Sequence, residues 1–256
     1  MPKPRKKARI PPPKKMEKRD LSFLCEHFSG EELEKAIERV ENGEPLAYVI
    51  GEWYFYGLTF SLNKDTLIPR PDTEHAVDYA IKLLPQNARF VDFGTGSGCI
   101  ALSILDNRPD CTALLCDISR GALDCAQKNA ESIGIIDRTE YLCGDMTTPC
   151  LDKDELFDAI ISNPPYIRSD VINGLSVQVK HEPHRALDGG EDGMDFYRAI
   201  FEIQTKNLKP DGLLILEIGY DQAEDIRTLS DAYGYSCEVF RDYGGNDRIA
   251  ICRKQK

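Results

Sequence analysis

The chain has 256 residues, of which 41% are hydrophobic, so it is long enough to bury the core of one large domain with a small appendage. Its formal net charge of −11 argues against a protein that holds nucleic acid mainly through phosphate contacts, and it contains no run of about 18 apolar residues that would predict a membrane span. Nine cysteines without a CxxC pair predict reduced thiols rather than disulfides or a metal site, which fits the reducing cytoplasm. The sequence does not indicate an oligomeric state, and we expect a monomer by default.

The first 45 residues divide into a basic part and a helical part. Residues 1–19 carry nine Lys and Arg residues and five prolines with almost nothing to bury, which predicts a disordered tail. Residues 20–45 predict one short amphipathic helix, with Ser29 as its N-cap and Gly43 as its stop. We expect this segment to be too short to fold as an independent domain.

Residues 46–72 are predicted to form a β-hairpin followed by a linker. Aromatic and β-branched residues are dense between residues 46 and 62 and flank Gly57, a pattern typical of two strands joined by a turn. The proline-rich stretch Pro69-Arg70-Pro71-Asp72 is stiff, and it leads into a helix predicted over residues 73–84.

The remaining chain, residues 73–256, alternates apolar strands with helical patterns. This alternation predicts an α/β domain with a doubly wound, mostly parallel sheet of seven strands, Rossmann-like in class. The last two strands are joined by residues 242–246, too few for a parallel crossover, so they are predicted to form an antiparallel hairpin. The predicted strands are residues 89–93, 112–116, 139–143, 157–162, 212–218, 235–241 and 247–252. The predicted helices lie near residues 98–106, 119–132, 193–208 and 220–233.

A glycine-rich turn follows the first strand of this domain and opens a helix. Glycines let a ligand approach the backbone closely, and the start of a helix offers free N–H groups. The third glycine comes one residue earlier than in the dinucleotide-binding fingerprint, which would need glycine in place of Cys99. The turn predicts a ligand site made of Gly94, Thr95, Gly96, Ser97 and Gly98.

Two carboxylates are predicted at the same edge of the sheet as this turn. Asp117 follows the second strand, about one βαβ unit further on, where a carboxylate can accept hydrogen bonds from ribose hydroxyls. Asp145 follows the third strand and can accept a hydrogen bond from the amino group of an adenine. Each acid alone is more typical of a helix cap or a turn, but together with the glycine turn they predict a nucleoside ligand.

The fourth strand stops abruptly at Asn163-Pro164-Pro165-Tyr166. The two prolines fix the backbone and remove two N–H donors, so the carbonyls there are left free to accept. Asn163 adds a side-chain acceptor and donor, and Tyr166 adds a flat ring. We therefore predict a rigid pocket for a planar NH2 group, either a carboxamide or the amino group of a base.

These features together resemble a known group of enzymes. The GxGxG turn, the strand-end acids, the Asn-Pro-Pro-Tyr segment and the terminal hairpin are similar to those of class I S-adenosylmethionine-dependent methyltransferases. Within that class, residues 44–252 resemble the protein-(glutamine-N5) methyltransferases of peptide chain release factors, the PrmC/HemK family. Further matching motifs are Gly51-Glu52-Trp53, Phe55-Tyr56-Gly57, Ile68-Pro69-Arg70-Pro71-Asp72-Thr73-Glu74, Glu182-Pro183, Asp192-Gly193, Leu216-Glu217-Ile218-Gly219 and Asp247-Arg248.

The resemblance implies a function and a set of site residues. The implied reaction moves a methyl group from S-adenosyl-L-methionine to the side-chain amide nitrogen (N5) of the glutamine in the Gly-Gly-Gln motif of class 1 peptide chain release factors. Asn163, Pro164 and Tyr166 would be catalytic, and Arg70 and Pro165 would join them in binding the substrate. The residues expected around the cofactor are Gly94, Thr95, Gly96, Ser97, Gly98, Asp117, Asp145, Met146 and Asn163.

Other functions stay open at the level of the sequence. The same tetrapeptide can hold the amino group of a flipped adenine, as in an adenine-N6 nucleic-acid methyltransferase, although the acidic body disfavours DNA as a partner. Enzymes that methylate a glutamine of a ribosomal protein also resemble the chain, but they differ from it at Pro69-Arg70-Pro71-Asp72. A nucleotide-binding module without activity is a third alternative, which predicts a degraded site. The family usually begins with a bundle of several helices, whereas this chain is predicted to have one.

Overall fold

The structure is a computed structural model, and it describes residues 17–255. The predicted disordered tail, residues 1–19, lies outside the described residues except at its end. There Lys18 and Arg19 already belong to a helix, so the prediction of disorder is wrong for these two residues.

Within the described residues, three helices precede the hairpin where the sequence predicts one. They are α1 (Lys18–His27), α2 (Gly30–Glu41) and α3 (Leu46–Ile50). The predicted helix is α2, which begins after Ser29 and ends before Gly43 as expected. The three helices pack on one another through a small apolar cluster centred on Leu24, Ala36 and Val49.

The prediction that the β-hairpin region begins at residue 46 is wrong, because the apolar run of residues 46–50 forms α3. A short apolar run does not by itself distinguish a strand from a buried helix. Pro45 precedes the helix, and Gly51 ends it in the left-handed region, with φ at 87°. The successive residues Ala47, Tyr48 and Val49 are all buried, whereas a strand with one wet face would bury every second residue.

The predicted hairpin around Gly57 is confirmed over a shorter range. Strands β1 (Glu52–Phe55) and β2 (Leu58–Ser61) pair in antiparallel fashion. Tyr56 and Gly57 join them, both with positive φ, as a two-residue hairpin turn requires.

Seven further strands of the described residues form one sheet, and they confirm the predicted strands. Five neighbouring strands are parallel, and the last two are joined antiparallel as a hairpin. The order across the sheet is β5-β4-β3-β6-β7-β9-β8. The strands are β3 (Arg89–Phe93), β4 (Thr112–Asp117), β5 (Thr139–Cys143), β6 (Phe157–Ser162), β7 (Leu208–Glu217), β8 (Tyr235–Arg241) and β9 (Asp247–Lys254).

Helices cover both faces of this sheet, which accounts for the nearly continuous apolar character of the central strands. Phe90 of β3 points into the core on one face, and its neighbour Val91 points into the core on the other. Within residues 17–255, no helix is both long enough and apolar enough to cross a membrane. The helices are α4 (Glu74–Leu83), α5 (Cys99–Asn107), α6 (Arg120–Ile133), α7 (Ser169–Ile172), α8 (Asp195–Glu202) and α9 (Ala223–Ala232).

The order of the strands reverses direction at β3, which has β4 on one side and β6 on the other. Ligands of open α/β sheets bind at such a switch point, beyond the carboxyl ends of the strands. Phe93 and Ser162 are register partners at the ends of β3 and β6, and Ser162 Oγ donates to the Phe93 carbonyl at 2.7 Å. The glycine turn and the Asn-Pro-Pro-Tyr segment therefore leave the sheet side by side.

We expect Gly98→Ala to destabilise the fold more than Gly134→Ala. Both glycines have a positive φ, 80° and 82°, so both changes carry the same kind of backbone strain. A Cβ at Gly98 would lie 2.9 Å from Leu102 Cδ1 and 3.2 Å from Ala126 Cβ, whereas one at Gly134 would meet nothing within 4 Å. Overpacking costs about 1–3 kcal/mol, so urea denaturation should show an additional loss of that size for Gly98→Ala. Equal losses would contradict close packing of α5 against α6.

Candidate active site

A cavity of about 540 Å³ lies at the carboxyl edge of the sheet, where β3, β4 and β6 end. This volume is within the roughly 300–1,000 Å³ that small-molecule and cofactor sites occupy. Residues from the glycine turn, both strand-end acids and the Asn-Pro-Pro-Tyr segment meet in its wall. The predicted site residues that line it are Arg70, Gly94, Thr95, Gly96, Ser97, Asp117, Asp145, Met146, Asn163 and Pro165.

Three predicted site residues, Gly98, Pro164 and Tyr166, do not line this cavity. Gly98 is the N-cap of α5 and faces the packing between α5 and α6. Tyr166 is half-buried and packs against the core on one face of the sheet. These residues lie beside or beneath the cavity wall.

Asp117 is held rigidly at the end of β4. Its Oδ2 accepts from the Gly96 amide at 2.9 Å, and its Oδ1 accepts from the Ser119 amide at 2.8 Å. Burial raises the pKa of this carboxyl, and the two amide donors oppose that effect. Because each carboxylate oxygen has a second lone pair, Asp117 can still accept hydrogen bonds from a ligand in the cavity.

The glycine turn is fixed from below by a second, fully buried acid. Asp92 Oδ2 accepts from Thr95 Oγ1 at 2.7 Å, and burial raises the pKa of Asp92 to about 7. The amides of Gly94 and Thr95 both donate to the carbonyl of Cys116 at the end of β4, at 2.9 and 3.1 Å. The turn is therefore tied both to its own strand and to the neighbouring one.

Met146 forms the wall opposite the first glycine. A Cβ built on Gly94 would lie 3.2 Å from Met146 Cε, so the space between them depends on glycine. Gln204, a buried residue that sequence reasoning missed, donates from Nε2 to the carbonyls of Met146 and Thr148 at 2.7 and 2.9 Å. This amide fixes the loop that carries Asp145 and Met146.

The side chain of Asn163 enters the cavity wall in a defined orientation. Its Nδ2 donates to Thr73 Oγ1 at 3.2 Å. Thr73 is 2% exposed and also lines the cavity. With Nδ2 engaged by Thr73, Oδ1 is the amide atom of Asn163 that is available to a ligand; this orientation is assigned from the hydrogen bonding.

Arg70 is tied to the loop that carries Glu182, to which sequence reasoning assigned no site residue. Its guanidinium forms an ion pair with the buried carboxylate of Glu182, whose Oε2 also accepts from the Ile68 amide at 3.2 Å. On the same loop, Arg185 lines the cavity and lowers the pKa of Asp117 through its charge. The motif Glu182-Pro183, which lies in this loop, indicated that the loop matters. Nothing in the sequence indicated a role for Arg185. Further lining residues that the sequence did not suggest are Asp65, Leu67, Ile118, Ala186 and Phe196.

A polar network lies beneath the Asn-Pro-Pro-Tyr segment, around Glu217 at the end of β7. Tyr166 Oη donates to Glu217 Oε1 at 3.3 Å, and Tyr197 Oη donates to the Glu217 carbonyl at 2.8 Å. Glu217 is 1% exposed, and burial raises its pKa to about 7. Arg248, which pairs with Asp242 at 3.2 Å, holds this pKa down through its charge.

The arrangement therefore has two chemically different parts within one cavity. The glycine turn and Asp117 suit a nucleoside with free hydroxyls, and Asn163 suits a planar amide or amine.

Comparison with known proteins gives a consistent result. The Methyltransferase small domain family matches residues 74–182. The chain is 42% identical to "Release factor glutamine methyltransferase" of Nitratidesulfovibrio vulgaris, over 85% of this chain and 75% of that protein. It is 40% identical to the protein of the same name from Thermodesulfovibrio yellowstonii, over 88% of this chain and 81% of that protein.

A solved structure extends the similarity of the fold to nearly the whole chain. The catalytic domain of hMettl16, crystallised in complex with MAT2A 3′UTR hairpin 1, superposes with a TM-score of 0.65 and 15% identity. The superposition covers 93% of this chain and 91% of that one. At this level of identity the likeness concerns the fold alone.

Proposed function

The chain belongs to the release factor glutamine methyltransferase family, and on that premise we propose that it methylates N5 of the glutamine in the Gly-Gly-Gln motif of class 1 peptide chain release factors. S-adenosyl-L-methionine is the methyl donor that its methyltransferase family implies. One observation supports the proposal above all. Asn163, whose amide is oriented by Thr73, lines the same cavity as the glycine turn and Asp117.

The residues of the cavity fit S-adenosylmethionine. A side chain at position 94 would narrow the space between Gly94 and Met146, so glycine keeps that space open for a ligand. The Asp117 carboxylate is positioned to accept hydrogen bonds from ribose hydroxyls. Asp145 lines the cavity beside Met146, where it can accept from an adenine amino group. When bound, the cofactor supplies an electrophilic methyl group on its sulfonium.

We assign the recognition of the glutamine to Asn163 and Pro164. Asn163 Oδ1, at the wall of the cavity, accepts one N–H of the substrate amide, and Pro165 contributes a rigid wall. The carbonyl of Pro164, which follows Asn163 in the chain but does not itself line the cavity, is the second acceptor that this segment offers. Tyr166, held by Glu217, sets the position of the segment that carries these acceptors. Arg70, fixed by its ion pair with Glu182, lines the same cavity and offers a cation to the substrate chain.

Catalysis then depends mainly on positioning. An amide nitrogen is a poor nucleophile, because its lone pair is delocalised into the carbonyl. Two fixed acceptors hold the amide so that this lone pair faces the methyl group, and they stabilise the positive charge that develops on the N–H groups. The amide nitrogen would form its bond to the methyl group as the bond between that methyl group and the sulfonium sulfur breaks. The proton that the nitrogen loses would pass to solvent water after the transfer, so a dedicated base is not required.

The proposed substrate also implies the cellular compartment in which the protein acts and the class of its partner. A release-factor substrate implies action in the cytoplasm. The net charge of −11 does not favour DNA as an alternative substrate.

The function is tested by transfer of labelled methyl from S-adenosylmethionine to a purified class 1 release factor. We expect label on the wild-type factor and none on its Gln→Ala variant in the Gly-Gly-Gln motif or on duplex DNA. Label on DNA alone, or equal label on both forms of the factor, would overturn the proposal.

Asn163→Ala should lower kcat for the release factor at least 100-fold, because one of the two acceptors that fix the amide is lost. The dissociation constant for S-adenosylmethionine should change much less. Label transfer and calorimetry measure the two effects, with Asn107→Ala at the far end of α5 as the control. A kcat that matches the control would refute this role for Asn163.

Asp117→Asn should weaken S-adenosylmethionine binding at least tenfold. Both oxygens of Asp117 accept from backbone amides, so an asparagine must direct its NH2 group at the N–H of Gly96 or Ser119. Loss of a hydrogen bond to a charged group costs about 1.5–3 kcal/mol, which corresponds to tenfold or more in affinity. Calorimetric titration measures the change against Asp137→Asn, an exposed carboxylate beyond the other end of α6. Unchanged affinity would refute the role of Asp117.

A further inference from the structure

Arg248, the second residue of β9, joins three segments of the chain beside the end of β7. Its Nε and Nη2 both donate to Asp242 Oδ2 at 3.2 Å, which ties it to the turn between β8 and β9. Its Nη1 donates to the carbonyl of Ile218, the residue after β7, at 3.2 Å. Nη2 also forms an ion pair with Asp72 Oδ2, at 3.7 Å, on the segment before α4. The guanidinium is therefore anchored to the sheet and presents its charge to Asp72.

Asp72 belongs to a short, stiff turn that carries two residues of the cavity wall. Residues Pro71–Thr73 form one turn of 3-10 helix, in which the Thr73 amide donates to the Arg70 carbonyl at 3.0 Å. Because this turn is closed by a hydrogen bond and contains a proline, residues 70–73 should move as one body. Arg70 and Thr73 line the cavity, and the hydroxyl of Thr73 accepts from Asn163 Nδ2. The position of Asp72 therefore affects the amide end of the cavity.

A second set of contacts joins the same hairpin to α4, which follows this turn directly. The ring of Tyr243, between β8 and β9, lies 4.3 Å from that of His75. The ring of Phe240 in β8 lies 4.5 Å from that of Tyr79. His75 and Tyr79 are four residues apart, so they share one face of α4. The hairpin thus packs along α4, and its turn contacts the end of the helix that is nearer the cavity.

We infer that Arg248 and Tyr243 are positioning residues for methyl transfer, which act through residues 70–73 on the amide of Asn163. The inference rests on the proposed function and deepens it at the same site. Neither Arg248 nor Tyr243 lines the cavity, so each acts through the residues that it contacts. Their contacts fix the start of α4, and this places the Thr73 hydroxyl where it can orient Asn163.

The cofactor end of the cavity is held independently of the hairpin. The amides of Gly94 and Thr95 donate to the carbonyl of Cys116, and Asp117 accepts from the amide of Gly96. These bonds join β3 to β4, whereas the hairpin lies on the other side of β3, beyond β6 and β7. Loss of a hairpin contact should therefore lower methyl transfer without weakening the binding of S-adenosylmethionine. A general loss of folding would lower both.

The burial of each side chain decides which substitutions test this inference. The side chain of Asp242 is 1% exposed, so removing Arg248 would leave a buried carboxylate unpaired and would endanger the fold. The side chain of Asp72 is 50% exposed, so Asp72→Asn removes its charge while Arg248 keeps its bonds to Asp242. Tyr243 is 88% exposed, so Tyr243→Ala removes the ring and leaves the core intact.

Two further variants serve as controls. Tyr243→Phe keeps the ring that packs on His75 and removes only the hydroxyl. Arg253→Met breaks another exposed ion pair of the same hairpin, with Glu238 at 3.5 Å, near the other end of β9. Arg253 therefore matches Arg248 in its strand and its charge, but it lies away from the cavity.

The test measures kcat of the full chain at saturating S-adenosylmethionine and saturating class 1 release factor. We expect Asp72→Asn and Tyr243→Ala each to lower kcat at least about fivefold, because a small displacement of an acceptor costs much of the rate. The double variant should lose more than either single variant. Tyr243→Phe and Arg253→Met should keep kcat within about twofold of the wild type. Calorimetry should show the same affinity for S-adenosylmethionine in all of them, within about twofold.

The outcomes separate this inference from the proposed function. Asp72→Asn decides for Arg248, and Tyr243→Ala decides for Tyr243. A kcat within about twofold of that of Arg253→Met overturns the role of the residue concerned, while the function stands. A loss of affinity for S-adenosylmethionine in proportion to kcat, or an equal loss of kcat in Tyr243→Phe and Tyr243→Ala, also overturns it. Absence of methyl transfer by the wild type overturns the function and the inference together.

Discussion

The register between β3 and β6 is the constraint on which the site depends. Phe93 and Ser162 are partners at the ends of these parallel strands, and the Ser162 hydroxyl donates to the Phe93 carbonyl. The next residue of each strand, Gly94 and Asn163, therefore leaves the sheet at the same level. A slip of one residue would turn the side chains of β6 to the opposite face of the sheet. The glycine turn and Asn163 are brought together by this backbone pairing and by the hydrogen bond of the Ser162 side chain.

Two buried acids behind the cavity share a design. Asp92 accepts a hydrogen bond from the hydroxyl of Thr95, which lines the cavity, and Glu217 accepts one from the hydroxyl of Tyr166 in the Asn-Pro-Pro-Tyr segment. A buried carboxyl is costly to ionise, as the raised pKa of both acids indicates. That cost is offset here because a carboxylate can only accept hydrogen bonds, so a neighbouring hydroxyl must donate its proton to it. A neutral partner that can both donate and accept would not fix the direction of that hydrogen bond. The two acids thereby order the wall of the cavity from behind it, and neither of them lines the cavity itself.

Much of the fold could be predicted from the sequence. The strands of the main sheet are apolar runs bounded by turn residues, and the terminal hairpin follows from its short connection. Residues 46–50 were predicted incorrectly, because an apolar run of five residues suits a strand as well as a helix buried on several sides. The helix α1 was missed, because it lies against the end of a basic, proline-rich segment whose composition is typical of disorder.

The site was predictable where its chemistry is local in the chain. The glycine turn, Asp117 and the Asn-Pro-Pro-Tyr segment are each contiguous motifs, and most of their residues line the cavity. Thr73 and Asn163 are 90 residues apart, and no spacing rule connects them. Their hydrogen bond depends on how the segment before α4 meets the end of β6, which is a property of the tertiary structure.

The central claim is that Asn163 receives the substrate amide through Oδ1, and a crystal structure of a complex tests it most directly. The complex would contain S-adenosylhomocysteine and a peptide with the Gly-Gly-Gln sequence. The account predicts that the glutamine nitrogen lies about 2.9 Å from both Asn163 Oδ1 and the Pro164 carbonyl oxygen. A glutamine whose carbonyl oxygen faces Asn163, or one bound elsewhere in the cavity, would contradict it.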